Sequence, residues 1–159
     1  MKKIILSFII CLLANTNSRG QEELVIEESI QNIKINWETT FKRALKKAKK
    51  QNKPILIYFT GSDWCGPCKV LDKKLFHTEK FKKIADESLI LYMVDVPRNK
   101  DLVKEKTRII NEEISRKYNQ NAFPTLILVN AEGDMLDMKK GFYMTEYYYP
   151  FFENIIANY

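Results

Sequence analysis

Apolar residues recur at two different periods along this chain. Over residues 37–51, Phe41, Ala44, Leu45 and Ala48 fall at i, i+3, i+4 and i+7, with Lys42, Arg43, Lys46, Lys47, Lys49 and Lys50 around them. That period puts one apolar stripe on a helix and leaves its lysines as a solvated face. Asn52-Lys53-Pro54 ends the helix. The pattern then changes. Residues 55–60 form a nearly continuous apolar run, as expected of a strand covered on both faces, and residues 89–96 form a second.

Between those strands, Gly61-Ser62-Asp63 turns the chain into a helix that begins around Cys65 and Cys68. It runs through Val70, Leu71, Leu75 and Phe76 and restarts after Thr78 with Phe81, Ile84 and Ala85. Residues 97–106 are a polar loop. Residues 107–118 carry Ile110, Ile114 and Tyr118 on one helical stripe. Pro124 opens a third strand over 125–129. Ala131-Glu132-Gly133-Asp134 is a hairpin turn that returns as 135–139. A last helix spans roughly 148–158, with Pro150 tolerated near its start. Its approach and first turns hold Phe142, Tyr143, Tyr147, Tyr148, Tyr149, Phe151 and Phe152. Most of these are expected in the core, because long aromatics bury large areas. The succession predicts an α/β fold with a central mixed sheet and helices on both faces.

At 159 residues and 45% hydrophobic, the chain fits one domain that buries a core without needing disulfides. Residues 1–20 resemble a cleavable signal peptide: Lys2 and Lys3, an apolar run from Ile4 to Ala14, then Ser18-Arg19-Gly20. An uncleaved anchor fits less well. So does a lipoprotein at Cys11, because Ile9-Ile10 offers no small residue before it. Residues 21–36 alternate acidic and apolar groups and read as an N-terminal extension with a short strand at 33–36. The remaining domain is 37–159. Losing Lys2, Lys3 and Arg19 takes the net charge from +6 to +3. That modest excess, without a nucleic-acid motif, argues against a nucleic-acid partner.

Cleavage would also remove Cys11 and leave Cys65 and Cys68 as the remaining cysteines. An exported chain with one close pair has no disulfide framework, so the pair is expected to be chemical rather than structural. Two cysteines and His77 fall short of the roughly four ligands that zinc takes, so neither metal nor cofactor is expected. His77 itself reads as a helix-end surface residue. Cys65 sits where a helix starts. Unpaired N–H groups and the helix dipole there favour a thiolate. Cys65 is therefore the expected nucleophile. Cys68, one turn on, is placed to resolve the mixed disulfide. Gly66 and Pro67 permit and stiffen the turn between them.

Taken together, Trp64-Cys65-Gly66-Pro67-Cys68-Lys69 after the first strand, Phe123-Pro124-Thr125 and Gly141 resemble the thioredoxin family over residues 37–159. The approach Phe59-Thr60-Gly61-Ser62-Asp63-Trp64 is similar to exported thioredoxin-like proteins of bacteria, which implies the periplasm. The resemblance implies a thioredoxin fold, a cis Pro124 beside the cysteines, and a groove lined by Trp64, Phe123, Pro124, Thr125 and Gly141. The Phe123 backbone would pair with an extended substrate segment. Phe142 and Tyr143 would widen that surface. The chain departs from the family where thioredoxins carry a buried aspartate: that position falls on Tyr58. The usual lysine partner falls on Tyr92 or Met93. A phenol, with a pKa near 10, is a poor proton acceptor. Asp63 and Asp72 are the alternative carboxylates.

The function expected is an exported, monomeric thiol–disulfide oxidoreductase that reduces protein disulfides. Its Gly-Pro insert resembles reducing family members. A membrane-embedded partner would supply electrons in an oxidising compartment. An oxidase or isomerase using the same pair, and a redox-silent peptide-binding module, are the competing readings.

Overall fold

Alternate residues of one central strand face two separate cores. In β2 (Ile55–Thr60), Leu56 and Tyr58 point to one side and Ile55, Ile57 and Phe59 to the other. Successive strand side chains leave opposite faces, so a run apolar at every position must be covered twice. The computed structural model describes residues 33–159. The signal peptide expected at 1–20, Cys11 within it, and the 21–32 part of the N-terminal extension lie outside the described residues.

The other strands are β1 (Trp37–Glu38), β3 (Ile90–Asp95), β4 (Thr125–Val129) and β5 (Met135–Lys140). The five form one sheet in the order β1-β3-β2-β4-β5. β3 runs parallel to β1 and β2, while β4 is antiparallel to both β2 and β5. The predicted mixed sheet is therefore present. One face is covered by α1 (Phe41–Gln51) and α4 (Glu105–Lys117), through Ala44, Ala48 and Ile114. The other is covered by α2 (Gly66–Leu71), α3 (Glu79–Ser88) and α5 (Tyr148–Asn158), through Leu71, Phe81, Phe151 and Phe152.

Two local expectations are corrected. The first helix does not start at Trp37. Trp37 and Glu38 pair with Leu91 and Tyr92 as an edge strand, and Thr40 caps the helix that follows by accepting from Arg43 N at 3.2 Å. Residues 33–36 carry no strand. The aromatic end divides: Tyr148, Phe151 and Phe152 are core and Tyr149 packs against them, whereas Phe142, Tyr143 and Tyr147 are exposed. Between α2 and α3 the chain widens into a single π-turn, Asp72–Phe76, before Thr78 caps α3.

Candidate active site

The Gly61 carbonyl accepts the N–H groups of Trp64 and Cys65 at 3.2 and 2.8 Å, folding the end of β2 directly into α2. Cys65 is the cap residue of that helix. Its Sγ accepts the N–H of Cys68 at 3.2 Å. A sulfur in this position meets the unpaired donors at a helix start, the setting that stabilises a thiolate. Cys65 and Cys68 are joined by a disulfide and are nearly inaccessible, at 3% and 1% exposure, while Gly66 and Pro67 between them are exposed. Reactive sulfur is thus sheltered under an exposed two-residue bridge.

Trp64 is fixed on three sides. Its indole N–H donates to Val96 O at 2.9 Å, its ring meets Phe123 edge-on at 5.4 Å, and Arg98 lies 5.1 Å over it. Gly61 makes that position possible. A Cβ built there would lie 2.3 Å from the indole Cε2, so the close approach requires glycine. Sequence reasoning assigned Gly61 only to a turn.

The Phe123–Pro124 peptide is cis. Thr125 Oγ1 donates to Ala122 O at 2.9 Å and pins the approach to β4. Gly141, at φ +94°, donates its N–H to Pro124 O at 2.8 Å. The buried Tyr148 hydroxyl donates to Gly141 O at 3.2 Å and accepts from Tyr143 N at 3.1 Å. Trp64, Phe123, Pro124 and Gly141 therefore form a connected border, and both Trp64 and Phe123 pack on the cluster containing the two cysteines. Phe142 and Tyr143 stand exposed next to it.

Tyr58 lies beneath Cys68. Its hydroxyl donates to Cys68 O at 3.2 Å, and burial pushes its pKa well above that of an ordinary phenol. It stays neutral and accepts no proton at physiological pH. Its β3 neighbour is Met93, which lines the same cavity. Tyr92 faces the opposite core and donates to Asn111 Oδ1 at 3.1 Å. The position opposite Tyr58 therefore carries no charge.

The two alternative carboxylates separate clearly. Asp63 accepts from Arg98 N at 3.0 Å and Asn99 N at 2.9 Å, and these backbone bonds lower its pKa. It fastens the loop after β3. Asp72, by contrast, lines a cavity of ≈ 130 Å³ together with Tyr58 and Cys68. His77 closes the turn that follows α2, and its Nδ1 lies 3.4 Å from Asp72 Oδ2. Among the described residues, no group of three His, Cys, Asp or Glu side chains is arranged to hold a metal, and no helix is long and apolar enough to cross a membrane.

A family model described as a thioredoxin-like domain matches residues 41–156. The chain is 33% identical over 126 residues to a disulfide bond reductase, DsbH, of Chlamydia pneumoniae, covering 79% of this chain and 74% of that protein. It is 31% identical over 98 residues to the thioredoxin-related protein DsbJ of the same organism, covering 62% of this chain but 28% of DsbJ. A solved structure of a DsbH oxidoreductase superposes with a TM-score of 0.71 at 30% identity, covering 77% of this chain and 85% of that one. A thioredoxin from Thermus thermophilus, at 14% identity and a TM-score of 0.59, shares the fold over 76% of this chain and 86% of its own.

Proposed function

The chain belongs to the thioredoxin-like domain family, and from that membership we propose that it is an exported thiol–disulfide oxidoreductase that reduces protein disulfides. The observation that carries the reading is Cys65 Sγ, seated as the cap of α2 and accepting the Cys68 N–H. In the reduced protein that donor stabilises a Cys65 thiolate. The thiolate attacks one sulfur of a substrate disulfide. A mixed disulfide forms, and the first substrate sulfur leaves as a thiolate that takes a proton from water. Cys68 then attacks Cys65 Sγ, the Cys65–substrate bond breaks, and the second substrate sulfur leaves. Both electrons come from the dithiol, which ends as the Cys65–Cys68 disulfide seen here.

The reducing direction is supported by the Gly66-Pro67 insert and by the similarity to a disulfide bond reductase over most of both chains. Export is supported by residues 1–20, with the periplasm as the compartment. There the oxidised enzyme needs re-reduction, which calls for a membrane-embedded dithiol partner. The border of Trp64, Phe123, Pro124 and Gly141 would receive an extended substrate segment.

The test is capture of the intermediate. Cys68→Ser is expected to accumulate protein partners covalently through Cys65 that reducing agent releases, whereas Cys65→Ser captures none. If both variants capture equally, the assignment of the nucleophile fails. If replacing both cysteines by serine leaves the biological activity intact, the chain is a redox-silent binding module.

A further inference from the structure

Cys68 must lose a proton before it can resolve the mixed disulfide, and Tyr58 beneath it cannot take one. The cavity bordering Cys68 is ≈ 130 Å³, against the roughly 10–15 Å³ that one water needs. Tyr58, Thr60, Ser62 and Asp72 are among its lining residues, so there is room for water between Cys68 and a carboxylate. Asp72 is the one carboxylate in that lining. Its own N–H donates to Cys68 O and Lys69 O, which fixes its backbone one turn beyond the resolving cysteine.

The π-turn supplies a second group. The His77 N–H donates to Asp72 O at 3.1 Å, five residues back, and this wider turn brings the ring onto Asp72. His77 Nδ1 lies 3.1 Å from Asp72 O and 3.4 Å from Asp72 Oδ2. Both oxygens are acceptors, so the ring nitrogen they share carries the hydrogen. Partial burial raises the Asp72 pKa, and the neighbouring imidazole draws it back down.

Lys69, Asp95, Tyr148 and Tyr149 each have a hydrogen-bond partner of their own. Lys69, at the cavity rim, donates to Asp63 O at 2.9 Å. Asp95 accepts from Ser62 N and Oγ at 2.9 and 2.7 Å. Tyr148 and Tyr149, from α5, bond Gly141 O and Thr78 Oγ1.

We propose that Asp72 is the proton acceptor for the Cys68 thiol, and that His77 is a positioning residue that holds the Asp72 carboxylate ionised. The Cys68 proton passes across the cavity to Asp72. Cys68 Sγ bonds to Cys65 Sγ, the Cys65–substrate S–S bond breaks, and the leaving thiolate is protonated by solvent. Asp72 then returns its proton to water. The inference deepens the reductase reading and rests on its roles for Cys65 and Cys68.

The experiment follows resolution alone. Reduced full-length chain is mixed with the small disulfide dithionitrobenzoate, and the second thionitrobenzoate release, driven by Cys68, is timed across pH. Asp72→Asn is expected to slow that release about tenfold or more near neutrality and to leave it rising toward the pKa of a free thiol, about 8.5. Asp72→Glu is expected to recover most of the rate. His77→Gln keeps the acceptor but raises its pKa, so the acid limb moves to higher pH. His77 is the only histidine in the chain, so its ring resonances report the contact with Asp72 without ambiguity, and they are expected to move in Asp72→Asn. An Asp72→Asn profile superimposable on wild type, or one slower at every pH but unchanged in shape, overturns the proposal. Failure to reduce protein disulfides while these pH effects persist would count against the reductase reading alone.

Discussion

The Tyr58 hydroxyl donates to the carbonyl oxygen of Cys68 at 3.2 Å, from a side chain that is 1% exposed. A neutral phenol thus lies against Cys68 and braces its carbonyl. Cys68 O also accepts the helical N–H of Asp72, so Tyr58→Phe leaves that oxygen with one partner. The expected loss is about 1 kcal/mol, read from urea unfolding, with the rate of resolution changed less than about threefold. A larger rate loss with an altered pH profile would give Tyr58 a role in proton transfer.

Gly61→Ala tests the seat of Trp64. The added methyl would fall 2.3 Å from the indole, and a ring fixed to Val96 O and Phe123 cannot yield without losing both contacts. Destabilisation of about 1–3 kcal/mol is expected, together with a marked fall in kcat/KM for protein disulfides. Unchanged stability and activity would show that the close approach is not required.

Tyr148→Phe removes the hydroxyl that ties Gly141 O and Tyr143 N together. The ring remains in the core, so the fold is retained at a cost of about 1–2 kcal/mol. The loop beside Pro124 loosens. KM for a protein disulfide is expected to rise severalfold while reaction with a small disulfide stays near wild type. Equal losses with both substrates would place the effect at the cysteines and not in the groove.

Asp63 carries a stability term of defined sign. Its folded pKa is lowered by the N–H groups of Asn99 and Arg98, so its contribution is present above the unfolded carboxylate value, near 3.9. It is lost as pH falls through the folded value. Hydrogen-exchange protection of the Arg98 and Asn99 amides is expected to weaken below about pH 4. In Asp63→Ala the protection is expected to be low at every pH, with resolution by Cys68 near wild type. A slowed resolution step in that variant would return Asp63 to the list of proton acceptors.

Most of the fold was legible because its signals are local. The apolar runs of β2 and β4 sit in the centre of the sheet, and neither could form a one-sided strand. Thr78 marks the start of α3, and Glu132-Gly133 lies in the hairpin turn, where Gly133 has φ +82°. What escaped depends on distant partners. Trp37 and Glu38 directly precede the apolar stripe of α1, and Glu38 pairs with its Arg43 and Lys47. Only Leu91 and Tyr92, far along the chain, make them a strand. Asp72 and His77 are five apart, a spacing that does not share a face of an α-helix, and the π-turn brings them together. The cysteines were legible from their number, spacing and place at a helix start, and the groove residues from the family resemblance. Their linkage through Trp64–Phe123 and Pro124–Gly141 needed the tertiary structure, as did the choice between Asp63 and Asp72.

The Cys65–Cys68 pair is expected to donate electrons, and its equilibrium potential decides the direction. Equilibration of the full chain against glutathione or dithiothreitol buffers, with the thiol state read by alkylation, is expected to give a value near that of reducing thioredoxins, about −270 mV. A strongly oxidising value, near the roughly −120 mV of a dedicated oxidant, would contradict the reductase account and make the chain a disulfide donor.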